Sequence, residues 1–155
     1  MKILLVAVGT KMPAWVQAGC GEYSKRLPRD MMPQLVEIPL GPRPKGASPA
    51  EAMRQEGEAI LAAVPAGYTM VALDVRGKSW STEQLAQNLS QWRMEGHNLA
   101  FVIGGPDGFS RACLERTQVR WSLSELTLPH PVVRIILLEQ LYRAWTILQN
   151  HPYHK

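Results

Sequence analysis

The chain has little cysteine and no long uninterrupted apolar run. Cys20 and Cys113 are its only cysteines in 155 residues, with no CxxC pair and no metal-ligand spacing. That pattern argues against a disulfide framework and a metal centre, and it suits a reducing cytoplasm. No apolar stretch approaches the ~18 uncharged residues of a membrane helix. The opening "MKILLVAVGTKMP" lacks a small-residue cleavage site and reads as a first strand rather than a signal peptide. Phosphate-binding signatures are missing as well. There is no GK[ST] ending and no GxGxxG.

What is present describes an ordinary globular protein, 46% apolar and 19% charged. Its length suits one domain spanning residues 1–155. The net charge of +4 is uneven, because residues 1–45 hold seven Lys/Arg against three Asp/Glu. A solvated surface explains this, and so does a basic face for an anionic partner such as RNA, centred on Lys2, Lys11, Lys25, Arg26, Arg29, Arg43 and Lys45.

Strand and helix signals alternate. The run "KILLVAV" (2–8) is continuous enough for a strand buried on both faces. Residues 14–27 have helical spacing, weakened by Gly19 and Gly21. "QLVEIPL" (34–40) is a strand placed at an edge by Pro39. "SPAE" (48–51) predicts a helix start capped by Ser48, with Pro49 in the first position and Glu51 closing a capping box. That helix runs to Val64. A strand follows at 68–75, then a helix opened by the capping signature "STEQ" (81–84), a strand at 98–105 and a short helix at 110–118. The last strand is expected at "ELTL" (125–128), and the last helix from Pro131 to Gln149. Five strands alternating with helices imply an α/β fold, a mainly parallel five-stranded sheet with helices on both faces.

The final helix is apolar over a wide arc. Val133, Leu137, Leu138, Leu141, Trp145 and Leu148 share a face, and Ile136 and Ile147 widen it; Glu139, Arg143 and Thr146 form a polar notch. Burial against both the sheet and a second subunit accounts for such an arc, as does burial within one chain. The five tryptophans read as core or interface anchors, with Trp15 and Trp80 near loops where RNA could meet them.

In open α/β sheets, ligands sit beyond the carboxyl ends of the strands. Three such ends are unusual: "LDVRGKSW" (73–80), "IGGPDGFS" (103–110) and "SLSELTLPH" (122–130). In the second, Gly104, Gly105 and Gly108 with Pro106 describe either a plain strand-to-helix turn or bare backbone that a flat, phosphate-free ligand can approach. In the third, two prolines stiffen the chain around His130 immediately before the final helix, which suits a structural hinge.

Taken together, "VAVGTKMPAWV", "LDVRGK", "FVIGGPDG", "WSLSELTLPHPVVRIILLEQLYRAW" and "NHPYHK" resemble, in order and spacing, the ribosomal RNA large subunit methyltransferase H family. These are 23S rRNA pseudouridine N(3)-methyltransferases of the SPOUT superfamily, and the resemblance spans the whole chain. It implies a C-terminal trefoil knot, which general topology rules disfavour. It also implies a homodimer, action on the assembled ribosome in the cytoplasm, and S-adenosylmethionine held by Leu73, Gly104, Leu123, Ser124, Glu125, Leu126, Thr127 and Leu128. Catalysis would fall to Tyr153, His154 and Arg143, although a frayed tail and an Arg143–Glu139 ion pair explain the same residues without function. Two other readings stay open: a ribosome-binding protein of this fold without catalysis, and a small doubly wound flavin or nucleotide protein.

Overall fold

A computed structural model describes residues 1–155. Ten regular elements alternate along the chain. They are β1 (Ile3–Val8), α1 (Ala14–Ser24), β2 (Gln34–Ile38), α2 (Ala50–Ala63), β3 (Thr69–Ser79), α3 (Thr82–Met94), β4 (Leu99–Ile103), α4 (Arg111–Arg116), β5 (Val119–Ser122) and α5 (His130–Leu148). All strand pairs are parallel, in the order β2-β1-β4-β3-β5. Strand β2 is an edge, as Pro39 predicts. No helix is long and apolar enough to cross a membrane.

Alternation along β1 divides the core. Ile3, Leu5 and Ala7 pack with Leu85 and Leu89 of α3 and with Leu137 and Leu141 of α5, while Leu4, Val6 and Val8 pack with Ile60 of α2 and Cys113 of α4. Both faces of the sheet are thus covered. Each fully buried Leu, Ile or Phe contributes about 1.5–3 kcal/mol relative to exposure. Helix α1 leans on α5 through Gly19, where a Cβ would lie 2.7 Å from Ile135 Cδ1. A residue that costs helix propensity sits there, where any side chain would make Ile135 shift.

Three expectations need correction. The "SPAE" box does not form. Pro49 occupies the cap position, Ser48 Oγ accepts only from the Ala50 amide (3.2 Å), and Glu51 turns forward to Arg54 (2.6 and 2.9 Å). An ion pair one turn on outcompetes the reach back to the cap. The "STEQ" box does form, with both Ser81–Gln84 bonds present. Strand β3 continues past residue 75 to Ser79, because its far end rejoins β5 after a register break.

The third correction is the largest. The last strand is Val119–Ser122, and residues 125–128 pair with nothing. Ser122 Oγ donates to the Ser124 carbonyl (2.9 Å), and the Leu126 amide donates to Ser124 Oγ (3.0 Å), so the chain turns out of the ladder. It must turn, because α5 is anchored on the other side of the sheet. Arg134, only 2% exposed, donates to Glu37 Oε2 of β2 (2.7 Å) and to the Gly9 carbonyl after β1 (2.8 Å). From β5 to β1 is three strand spacings, roughly 14 Å. Residues 123–129 make that crossing over the carboxyl ends of β3 and β4.

The wide arc of α5 is largely used inside the chain. Leu137, Leu141, Tyr142, Ala144 and even Thr146 are buried, with α1 and α3 packed alongside. Thr146 therefore leaves the expected polar notch, its hydroxyl donating to the Arg143 carbonyl (2.6 Å).

At the start of α5, His130 Nε2 is buried without a hydrogen-bond partner, and a Cβ on Gly9 (φ 120°) would sit 2.8 Å from it. Burial, and secondarily the Arg134 charge, hold the His130 pKa below its ordinary 6.5. A depressed histidine pKa favours the neutral folded form. Its stabilisation is complete above 6.5 and is lost as pH falls through the folded value. The urea midpoint should therefore fall as pH drops below 6.5, with a shallower fall in His130→Gln. Glu37→Ala leaves the buried Arg134 charge uncompensated, and equilibrium unfolding should show a loss of about 3 kcal/mol.

Candidate functional site

The crossing segment closes a cleft of ≈ 790 Å³ over the strand ends. One wall is Leu73–Arg76 of β3. The second is Ile103–Phe109 after β4. The third comes from Leu123, Ser124 and Leu126–Pro131. Leu73, Gly104, Leu123, Ser124, Leu126, Thr127 and Leu128 all line this hollow. Glu125, in the same run, does not; it is exposed. The volume falls within the range of small-ligand pockets, about 300–1,000 Å³.

The glycine loop is folded flat against the protein. Gly105 and Gly108 form an isolated bridge, and Gly108 has φ 83°. A Cβ on Gly105 would lie 2.8 Å from Glu56 Oε1, and one on Gly104 3.2 Å from the Phe109 ring. Any side chain at 105 would lift the loop. Beneath it, Glu56 is 3% exposed and serves as a shared platform. It accepts from the Gly41 amide (2.8 Å) and from Arg43 (2.6 and 3.2 Å), while Arg43 Nε donates to Asp107 in the glycine loop (2.8 Å). The Arg43 pKa is raised, first by its hydrogen bond to Glu56 and then by that to Asp107. The polar, Pro/Gly-rich 41–48 loop, whose composition suits a mobile segment, is thereby tied to one wall of the cleft. Nothing in the sequence marks Glu56 for this role, since it reads as one more polar residue on an amphipathic helix.

The cleft's chemistry suits a flat, largely apolar ligand recognised by main chain. Leu73, Ile103, Leu123 and Val133 are among its lining residues. Of its two aspartates, Asp107 is bound by Arg43 and Asp74 accepts from the Arg76 amide (3.1 Å). His130 also lines the cleft.

Arg143, Tyr153 and His154 form a second grouping, outside the cleft. Tyr153 Oη donates to Glu139 Oε2 (2.8 Å), and Arg143 pairs with the same carboxylate (2.7 Å). The Arg143 guanidinium lies 4.8 Å from the centre of the Tyr153 ring, which packs on Tyr142 at 4.6 Å. The tail is therefore docked rather than frayed, and the Glu139–Arg143 ion pair is part of what docks it. Desolvation, followed by the bond to Glu139, raises the Tyr153 pKa; the Glu139 bond raises that of Arg143. His154 Nδ1 is buried without a partner.

Among the tryptophans, Trp80 stacks on Trp121 (5.0 Å) and tilts against Trp92 (6.2 Å), so it is packed internally rather than offered to RNA; Trp15 is 59% exposed.

Likeness to known proteins extends over the full length of the chain. The family described as "Predicted SPOUT methyltransferase" matches residues 1–154. The chain is 59% identical to the ribosomal RNA large subunit methyltransferase H of Hahella chejuensis, over 100% of this chain and 99% of that protein. It is 57% identical to the protein of that name from Saccharophagus degradans and 54% to that from Marinomonas sp., covering 100% of both chains in each case. With three loops meeting at the strand ends of a five-stranded parallel sheet, and likeness of this extent, the chain belongs to the SPOUT methyltransferases, in the ribosomal RNA large subunit methyltransferase H family.

Proposed function

We propose that this enzyme is an S-adenosylmethionine-dependent methyltransferase that methylates N(3) of a pseudouridine in 23S ribosomal RNA. Its proposed setting is the assembled ribosome in the cytoplasm, where it would act as a homodimer. The observation that carries the reading is the meeting of the three loops in one cleft whose glycine wall leaves main chain bare. A nucleoside cofactor without phosphates suits that wall, because Gly104 and Gly105 line the cleft with main chain alone. Leu73, Gly104 and residues Leu123–Leu128 would hold it, Glu125 through its backbone rather than its exposed side chain. When bound, the cofactor supplies an electrophilic methyl group on a sulfonium centre.

The chain's own residues would do the rest. Closure of the cleft by Leu126 and Leu128 fixes the line of attack, and positioning accounts for much of the rate. The imide nitrogen must lose a proton. His154 would receive it, Tyr153 would stack on the base, and Arg143 would stabilise negative charge on the ring. No cysteine nucleophile is needed. Cys20 and Cys113 lie off the cleft, and burial raises both thiol pKa values.

The separation of tail and cleft supports the homodimer. Val133 lines the cleft and Arg143 carries the tail, ten residues along α5, or roughly 15 Å. The outward stripe of α5 is Val132, Ile136, Glu139, Arg143 and Ile147, all partly exposed. A two-fold axis across that stripe would set each tail against the other copy's cleft. A C-terminal trefoil knot belongs to the same proposal. Its support is the passage of residues 123–129 across the strand ends, between edge strand β5 and an anchor beside β1.

Labelled methyl from the cofactor should enter ribosomes that lack the modification, at a single pseudouridine. Deleting Tyr153–Lys155 should lower kcat by about 10²-fold or more while cofactor binding by calorimetry persists. Full activity of the truncated enzyme would reject the role given to the tail.

A further inference from the structure

Strand β3 carries a bulge whose residues border the cleft but are not among those proposed to hold the cofactor. Leu73 and Lys78 both register with Trp121 of β5, so residues 74–77 are extruded from the ladder. Bulges of this kind re-aim side chains beside sites. The bulge is held down at both ends. The Asp74 carboxylate accepts from the Arg76 amide, and Gly77 lies so close to β5 that a Cβ would stand 2.5 Å from the Arg120 carbonyl carbon. What it presents is Val75, 57% exposed, and the exposed side chains of Arg76 and Lys78 next to that of Arg120.

Three basic residues of the first third are neutralised where they stand, Lys25 and Arg26 by Glu22, and Arg43 by Glu56 and Asp107. Arg76, Lys78 and Arg120 make no ion pair. Arg76 and Arg120 both line the cleft, and both of its aspartates are already engaged. Leu126 also lines the cleft, 72% exposed. The mouth therefore combines unpaired guanidinium groups with two exposed apolar side chains, Val75 and Leu126.

We propose that the β3 bulge with Arg120 grips single-stranded RNA at the mouth of the cleft, Arg76 and Arg120 on phosphates, Val75 and Leu126 against a base. This rests on the reading of the cleft as a cofactor site facing RNA. Guanidinium forks suit phosphate oxygens, and apolar side chains suit the faces of unstacked bases. The bulge would place the strand while the tail acts on the target.

Two measurements on the full-length protein test this separately from the methyltransferase reading: ribosome binding by cosedimentation over a salt series, and cofactor binding by calorimetry. In Arg76→Gln/Arg120→Gln, ribosome affinity at low salt should drop by about tenfold or more, and the log–log salt slope should shrink by about 1.4, or 0.7 per lost phosphate contact. Arg76→Lys/Arg120→Lys should recover most of the slope, and S-adenosylmethionine should still bind the glutamine variant. Circular dichroism confirms folding. Unchanged ribosome affinity and slope in the glutamine variant overturn the grip. So does loss of cofactor binding with ribosome binding intact, which would assign the guanidiniums to the cofactor's carboxylate. Failure of the wild type to bind ribosomes overturns it too. Failure of the wild type to bind cofactor, with the salt effect intact, sinks the methyltransferase reading and leaves the grip standing.

Discussion

The buried Arg134 sets the geometry on which the rest depends. Its guanidinium ties the first turns of α5 to Glu37 of β2 and to the carbonyl of Gly9. Strand β5 lies at the opposite edge of the sheet. With the two ends of the connection so far apart, residues 123–129 have only one short path, across the carboxyl ends of β3 and β4. A guanidinium suits this anchor because it donates in two directions at once and stays charged. The cleft follows from the crossing. Without it the glycine loop and the end of β3, already side by side through the Leu73–Ile103 register, would lack a third wall.

A second buried charge steadies the opposite wall. Glu56 gathers the Gly41 amide and Arg43 from one loop and lies against Gly105 of another. A buried carboxylate is costly unless its oxygens are fully paired, and here the pairing partners are the loops themselves. The two walls therefore have different physical origins. One is a taut crossing held by a buried arginine; the other is a glycine turn seated on a buried glutamate.

Helix α5 links the chemistry. Its first turns border the cleft through His130 and Val133, and its later turns carry Glu139 and Arg143, on which Tyr153 is docked. One rigid helix thus fixes the spacing between pocket and tail, which the proposed pairing of two such helices would bring face to face. In the proposed reading the β3 bulge is a third station at the mouth, beside the segments that would hold the cofactor and move the proton.

Much of this was legible in the order of residues. The two-faced burial of β1, the edge position of β2, the Ser81–Gln84 cap and the alternation of strands with helices are local matters, set by side-chain period and capping chemistry. The three loops were marked by glycine and proline where backbone must bend. "ELTL" was misread as a strand because apolar alternation states what a segment is able to pair with, not whether a neighbour is there. The roles of Glu56, Arg120 and Arg134 were invisible for a related reason. Each is one charged residue among many until partners distant in sequence close around it, Glu37 lying 97 residues from Arg134. Sequence alone determined most of the elements and the family, since both rest on local pattern. Only the tertiary structure decided which loops share a hollow, which cations remain unpaired and where the tail rests, because those depend on through-space proximity that no local period encodes.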